Sequence, residues 1–261
     1  MKKKEEAKYL DKEWQEMIVH LAGFLESGDQ EELHQFRVQV KKLRAMLYLF
    51  EHTSRQYGLL KKFKPVRKIF KHAGQIRDAY TNLQLSSRYE LKNEAFEASQ
   101  QKIIEEEINA FRENAKKYIK SINNAYKQIK KQLPHIDNSL IVEFYKKQLE
   151  QVAASLELLK FNEEMHNNRK LIKILMYNRK LADKSLDGLL TFNAAYFDQL
   201  QTNLGDWHDN VVAAELFASR EVNDKPVAAL IRKKNNTIKR RIRALSVDFM
   251  TKATTPETKS N

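Results

Sequence analysis

A chain of 261 residues with six Gly, four Pro and no Cys, 42% hydrophobic and 31% charged, is rich in good helix formers and long enough for a sizeable core. Without cysteine there are no disulfides, no thiolate chemistry and no Cys-based metal site. No apolar run reaches the ~18 residues of a membrane span, and Met1-Lys2-Lys3-Lys4 is not followed by a signal-peptide core. The chain reads as all-α, cytoplasmic and without a membrane partner. Its net charge of +13 is concentrated: stretches 33–50, 61–77, 165–182 and 225–247 contain no Asp or Glu. They hold 24 of the 47 Lys and Arg, and the other 23 stand against all 34 acidic residues. A surface evolved for solubility alone mixes both signs, so this segregation points to a polyanionic partner.

In chain order, the spacing of Trp14, Met17, Ile18, Leu21 and Leu25 predicts a helix over 4–27. Ser27-Gly28-Asp29 closes it, and Asp29 with Glu32 has the form of a capping box for a helix over about 30–52. A break near Thr53-Ser54 follows, and Pro65 predicts a kink or a restart. Gly74 reads as the next interruption, with a new helix from about Ala79. A long amphipathic helix is expected over 94–132, with Ile103, Ile104, Ile108, Phe111, Tyr118 and Ile122 inside and Glu105 to Glu107 solvated. The segment 133–138, containing Pro134, is the expected linker between a repeat at 1–132 and one at 139–250.

The second half follows the same plan. A helix over 139–160 precedes Asn162, which should cap the next helix, and Asp187-Gly188 should end that one. A third is expected to stop at Leu204, before Gly205-Asp206-Trp207-His208-Asp209. Asp224 and Pro226 start a last helix over 226–250, and 251–261 is expected to be a disordered tail. The fold expected is thus two similar four-helix bundles from an internal duplication, related by a pseudo-twofold axis.

Two motifs recur. The first is His34-x-x-Arg37-x-x-x-Lys41, extended by Lys42 and Arg44, and it returns 132 residues later as His166-x-x-Arg169-x-x-x-Lys173. At about 100° per residue, positions +0, +3, +7 and +10 form one column on a helix. Phe36, Val40, Leu43, Leu47 and Phe50 occupy another face, with core spacing. A single helical His is more often structural, but its return before the same basic residues favours an anion-binding role. No His or carboxylate stands at +3 or +4 to make a helical metal pair. The second motif, Gly74-x-x-Arg77-Asp78, returns as Gly205-x-x-His208-Asp209. Its plainer reading is a C-cap glycine followed by an N-capping Asp; the functional addition is an Asp that orients a neighbouring cation.

Further anion-binding candidates are Lys64, Arg67, Lys68 and Lys71 in the second basic stretch, and Arg232, Lys233, Lys239, Arg240 and Arg243 in the fourth. Arginine forks onto phosphate oxygens and lysine supplies point charge. Solvated helix faces usually pair Glu with Lys four residues on, and these stretches have no such partners. The chain carries no Gly-rich phosphate loop, His-Glu-x-x-His or Gly-x-Ser-x-Gly, so no catalytic residue, metal or cofactor is expected.

These two motifs, each present twice in the same order, resemble those of the CHAD family, the conserved histidine α-helical domain, over about residues 10–250. The resemblance implies two four-helix bundles and a basic central groove or pore that binds inorganic polyphosphate, with association with polyphosphate granules. The family's binding positions correspond to His34, Arg37, Lys41 and Arg44, and to His166, Arg169 and Lys173. The second copy departs from the pattern at Ile174, Met176 and His208, which weakens its column. The leading expectation is therefore a non-enzymatic binder of polyphosphate, or of phosphate and sulfate anions. Nucleic-acid binding is the alternative, but it calls for exposed aromatics among the cations or a recognition helix. A phosphohydrolase accessory domain comes third, since no carboxylate–metal site is legible.

Overall fold

The structure, a computed structural model, describes residues 3–54 and 58–256, and all regular structure among them is helical. The chain divides into two compact units, residues 1–136 and 137–261.

In the first unit α1 (Lys3–Ser27) and α2 (Gln30–Ser54) are joined at Gly28, whose φ of 74° suits the left-handed turn that ends α1. The Asp29 carboxylate accepts from the Glu31 N–H at 2.9 Å. Glu32 does not complete the capping box: its carboxylate reaches back to His20 at 2.8 Å. It passes over Gly23, where a Cβ would lie 2.9 Å from it. A short α3 (Leu59–Lys62) leads into α4 (Lys64–Arg88), which restarts with Pro65 in its first turn, where a missing N–H costs nothing. Asn93 caps α5 (Glu94–Glu113), and α6 (Ala115–Lys131) follows.

Phe36, Val40, Leu43, Leu47 and Phe50 of α2 are all 2% exposed or less. Burying each stabilises the fold by roughly 1.5–3 kcal/mol relative to exposure. They meet a core that includes Trp14, Met17 and Leu21 of α1 and Val66, Ile69 and Ile76 of α4. Trp14 packs edge-on against Phe63 and also touches Tyr126.

The second unit runs α7 (Asn138–Leu158), α8 (Glu163–Leu186), α9 (Ala194–Ala218), α10 (Lys225–Ser246) and α11 (Phe249–Thr254). Side chains of Asn162, Asn193 and Asp224 accept the first free N–H groups of α8, α9 and α10. Each such cap is worth about 1 kcal/mol.

Three expectations need correction. Gly74 and Gly205 do not interrupt helices; they lie inside α4 and α9, both buried, because each accommodates a neighbour rather than a turn. The expected helix over 94–132 is broken at Asn114, whose amide bonds back to the Ala110 carbonyl at 2.8 Å and competes with helix continuation. Of its six expected core residues, Ile104, Phe111 and Ile122 are buried, while Ile103 is 36% exposed. The expected tail contains α11 instead: Ala253 is fully buried and its carbonyl accepts from the Asn193 N–H at 2.9 Å. Residues 257–261 of that tail lie outside the described residues.

Candidate functional site

In the first unit the column on α2 lies against α4. Arg37 is half-buried; its guanidinium donates to the Phe70 carbonyl at 3.0 Å and sits 4.4 Å from the Phe70 ring centroid. It occupies the space a side chain at position 74 would need, since a Cβ on Gly74 would fall 2.6 Å from Nη1. This is the physical reason for the glycine: it admits a guanidinium between two helices.

Around Arg37 the other cations gather. Burial first, then the charge of Arg77, followed by those of Lys41 and Arg37, lower the His34 pKa against the pull of Glu31. At the other end of the column, burial and then the charge of Arg67 lower the Arg44 pKa. His34 thus neighbours Arg77 and Arg44 neighbours Arg67, so α2 and α4 run antiparallel and their basic residues form one strip. Lys41 lies 6.0 Å from the Phe70 ring centroid. Asp78 also stands among these cations; partial removal from water raises its pKa, while Arg37 and Arg77 pull it down.

The second unit builds the same contact on α8 and α9. A Cβ on Gly205 would meet Nε and Nη2 of Arg169 at 3.0 Å. Arg169 also reaches toward the Gln201 carbonyl at 3.4 Å. His166 stacks on His208 with ring centroids 4.0 Å apart, where the first unit has His34 beside Arg77. Burial, then His208 and Lys170, push the His166 pKa down to about 4, with Glu163 opposing. Lys173 is depressed by burial and then by Arg169, and Asp198 opposes them. For both histidines, partial removal from water and the surrounding cations disfavour the charged form.

The remaining candidates differ in position. On α4, rotation of about 100° per residue puts Lys71 and Lys64 roughly 60–80° from Gly74, flanking the strip, and Lys68 about 120° away. All three are exposed. On α10, Lys239 and Arg243 gather over the Phe161 ring at 5.3 and 5.4 Å. Phe161 packs against Trp207, next to His208. Arg232, exposed and two turns before Lys239, lies about 20° from it by helical rotation. Lys233 and Arg240 are exposed and lie about 140–160° from buried Asn235, facing away from the packed stripe.

Two features were missed in the sequence. The first is the set of rings under the cations: Phe70 under Arg37, Tyr80 under Arg77, Tyr177 under Lys173 and Phe161. Helical spacing was the available signal for two of them, since Tyr80 stands three residues after Arg77 and Tyr177 four after Lys173, whereas Phe70 and Phe161 meet cations from other helices. The second is Asp198, which occupies in α9 the register that Arg67 has in α4, seven residues before the glycine. The fourth basic stretch forms α10, not the glycine-bearing helix, so the charge of the second stretch is not repeated in its counterpart. Lys42, which extends the first motif in sequence, pairs with Glu13, itself 6% exposed, at 3.7 Å and so ties α2 to α1.

A helical chain that twice seats a His-x-x-Arg helix on a buried glycine of its neighbour defines a bundle of specific kind. The CHAD domain model matches residues 8–218, and the chain belongs to the CHAD domain family. The match ends before α10. The fold is similar to the crystal structure of the CHAD domain from the plant Ricinus communis, with a TM-score of 0.65 at 17% identity over 91% of this chain and 89% of that one. No curated protein matches the sequence. Among the described residues no helix is long and apolar enough to cross a membrane, and no group of three or more His, Asp or Glu could hold a metal ion.

Proposed function

We propose that the chain binds inorganic polyphosphate without catalysis, along the α2–α4 strip and more weakly along α8–α9. The observation that carries this reading is the gathering of His34, Arg37, Lys41, Arg44, Arg67 and Arg77, which outnumber the acids Glu31 and Asp78 beside them. Like charges brought together lower one another's pKa, at a cost that a bound polyanion reverses. The ligand best suited is a flexible chain with a charge on every unit and no base to read. The aromatic rings at the seams support cations rather than standing bare for base stacking, which disfavours single-stranded nucleic acid.

Calorimetric titration with long-chain polyphosphate tests this. The double substitution Arg37→Ala, Lys41→Ala removes two charge-assisted contacts worth about 1.5 kcal/mol each, so affinity falls about 100-fold. Wild-type affinity in that variant would reject the site, and release of orthophosphate during incubation would reject the non-catalytic reading.

A further inference from the structure

A fifth stretch, residues 114–136, also contains no Asp or Glu, and it holds six Lys and no Arg. It forms α6, whose Ile122, Ala125 and Ile129 are buried in the first unit. Helical rotation places Lys116, Lys120, Lys127 and Lys131 within about 60° of one another on the opposite side. That row spans roughly 22 Å at 1.5 Å per residue. Lys116, Lys120 and Lys127, with Ile119, Asn123 and Asn124, line a shallow open groove of about 450 Å³. Lys130 points elsewhere: it bonds the Asp11 carboxylate at 2.8 Å and fixes α6 to α1. None of the four lysines of the row makes an ion pair among the described residues.

The row is not part of the α2–α4 strip. α6 packs along the first half of α4, where the Tyr118 hydroxyl meets His72 Nδ1 at 2.7 Å and Trp14 touches both Phe63 and Tyr126. On α4, His72 is about 160° from Gly74, so α6 and the strip lie on different sides of that helix. The exposed face between them carries Lys71, Lys64 and Lys68, at roughly 60°, 80° and 120° from Gly74. These lysines have no place in the strip itself, yet they lead around α4 from one basic surface to the other.

We propose that α6 is a second polyphosphate tract, reached over Lys71, Lys64 and Lys68 by the part of a long chain that extends beyond the strip. The protein would thereby select long chains over short ones. The ligand is a linear polyphosphate, because the row offers point charges without bare rings for bases and only one exposed apolar residue, Ile119, for a lipid surface. The proposal rests on the polyphosphate reading of the α2–α4 strip, and its test separates the two.

The experiment compares tripolyphosphate with long-chain polyphosphate on the full chain. One variant carries Lys116→Gln, Lys120→Gln, Lys127→Gln and Lys131→Gln, all at exposed positions. A control replaces exposed Lys8, Lys92, Lys146 and Lys147 with Gln. The α6 variant should keep tripolyphosphate affinity within about twofold and lose at least tenfold for the long chain, with the log–log salt slope for the long chain smaller by about 3. Wild-type affinity and slope for the long chain would overturn the tract. So would an equal loss in the control, or an equal loss for tripolyphosphate. Displacement of the long chain from the row by duplex DNA or by anionic vesicles at equal phosphate would assign the row to those ligands and overturn the proposal. The polyphosphate reading of the strip fails separately, if Arg37→Ala, Lys41→Ala leaves tripolyphosphate binding unchanged.

Discussion

Gly74 is where a single residue exchanges helix stability for ligand chemistry. Glycine in a helix interior costs about 0.8–1 kcal/mol relative to alanine. Alanine here would place a methyl 2.6 Å from the Arg37 guanidinium, which has an exit toward solvent because it is the far end of a flexible side chain. Gly74→Ala should therefore leave the melting temperature unchanged or higher while weakening polyphosphate binding about tenfold, through the loss of one charge-assisted contact of roughly 1.5 kcal/mol. A fall in stability with intact binding would make the glycine purely structural. His166 gives a second prediction at this scale. Its pKa of about 4 in the folded protein lies below the unfolded value, near 6.5. Between those values the unfolded chain takes up a proton that the folded one refuses. Stability therefore falls as pH drops through about 6.5 and levels below about 4. The urea midpoint of His166→Gln should depend less on pH over that range than that of the parent chain. A bound polyanion raises the same pKa, so binding takes up a proton and tightens as pH falls toward the free protein's value of about 4.

Helix pairs, rather than single helices, determine how strongly each seam attracts anions. α2 and α4 both supply cations, whereas α8 is paired with α9, which presents Gln201 and Asp198 and only His208 as a basic group. Lys170, the obvious substitute on α8, is committed to Glu163 at 3.2 Å and to Asn167. Arg169→Ala with Lys173→Ala should therefore cost at least several-fold less affinity than Arg37→Ala with Lys41→Ala, measured in the same calorimeter and buffer. Equal losses would show that α10, through Lys239 and Arg243 over Phe161, supplies what α9 lacks.

At the scale of the whole molecule, charge segregation is stronger than the four stretches alone indicate. With the lysines of 114–136 counted, five acid-free stretches leave 17 basic residues against 34 acidic ones elsewhere. On the polyphosphate reading a thin chain contacts only the basic stretches, whereas a wide, stiff duplex also comes near acidic residues outside them. At about 150 mM salt, where the Debye length is ~8 Å, only charges close to the ligand count. Unlabelled duplex DNA at equal phosphate should then fail to displace labelled polyphosphate, and displacement would replace the polyphosphate reading with a nucleic-acid one.

Local periodicity was sufficient to show that the chain is helical, the buried face of α2, the basic column of His34 to Arg44 and the family resemblance, because a helical face repeats within its own segment. It could not show what lies opposite that face. Gly74 reads as a helix stop in one dimension and proves to be the seat of Arg37, 37 positions away in sequence. Lys42 and Arg37 belong to one basic run, yet one is tied to Glu13 and the other reaches the seam. His34 and His166 read alike as anion-binding candidates, and only their cationic neighbours show that the charged form is disfavoured. In each instance the deciding partner comes from another helix, and packing, which joins residues distant in sequence, is settled only by the tertiary structure.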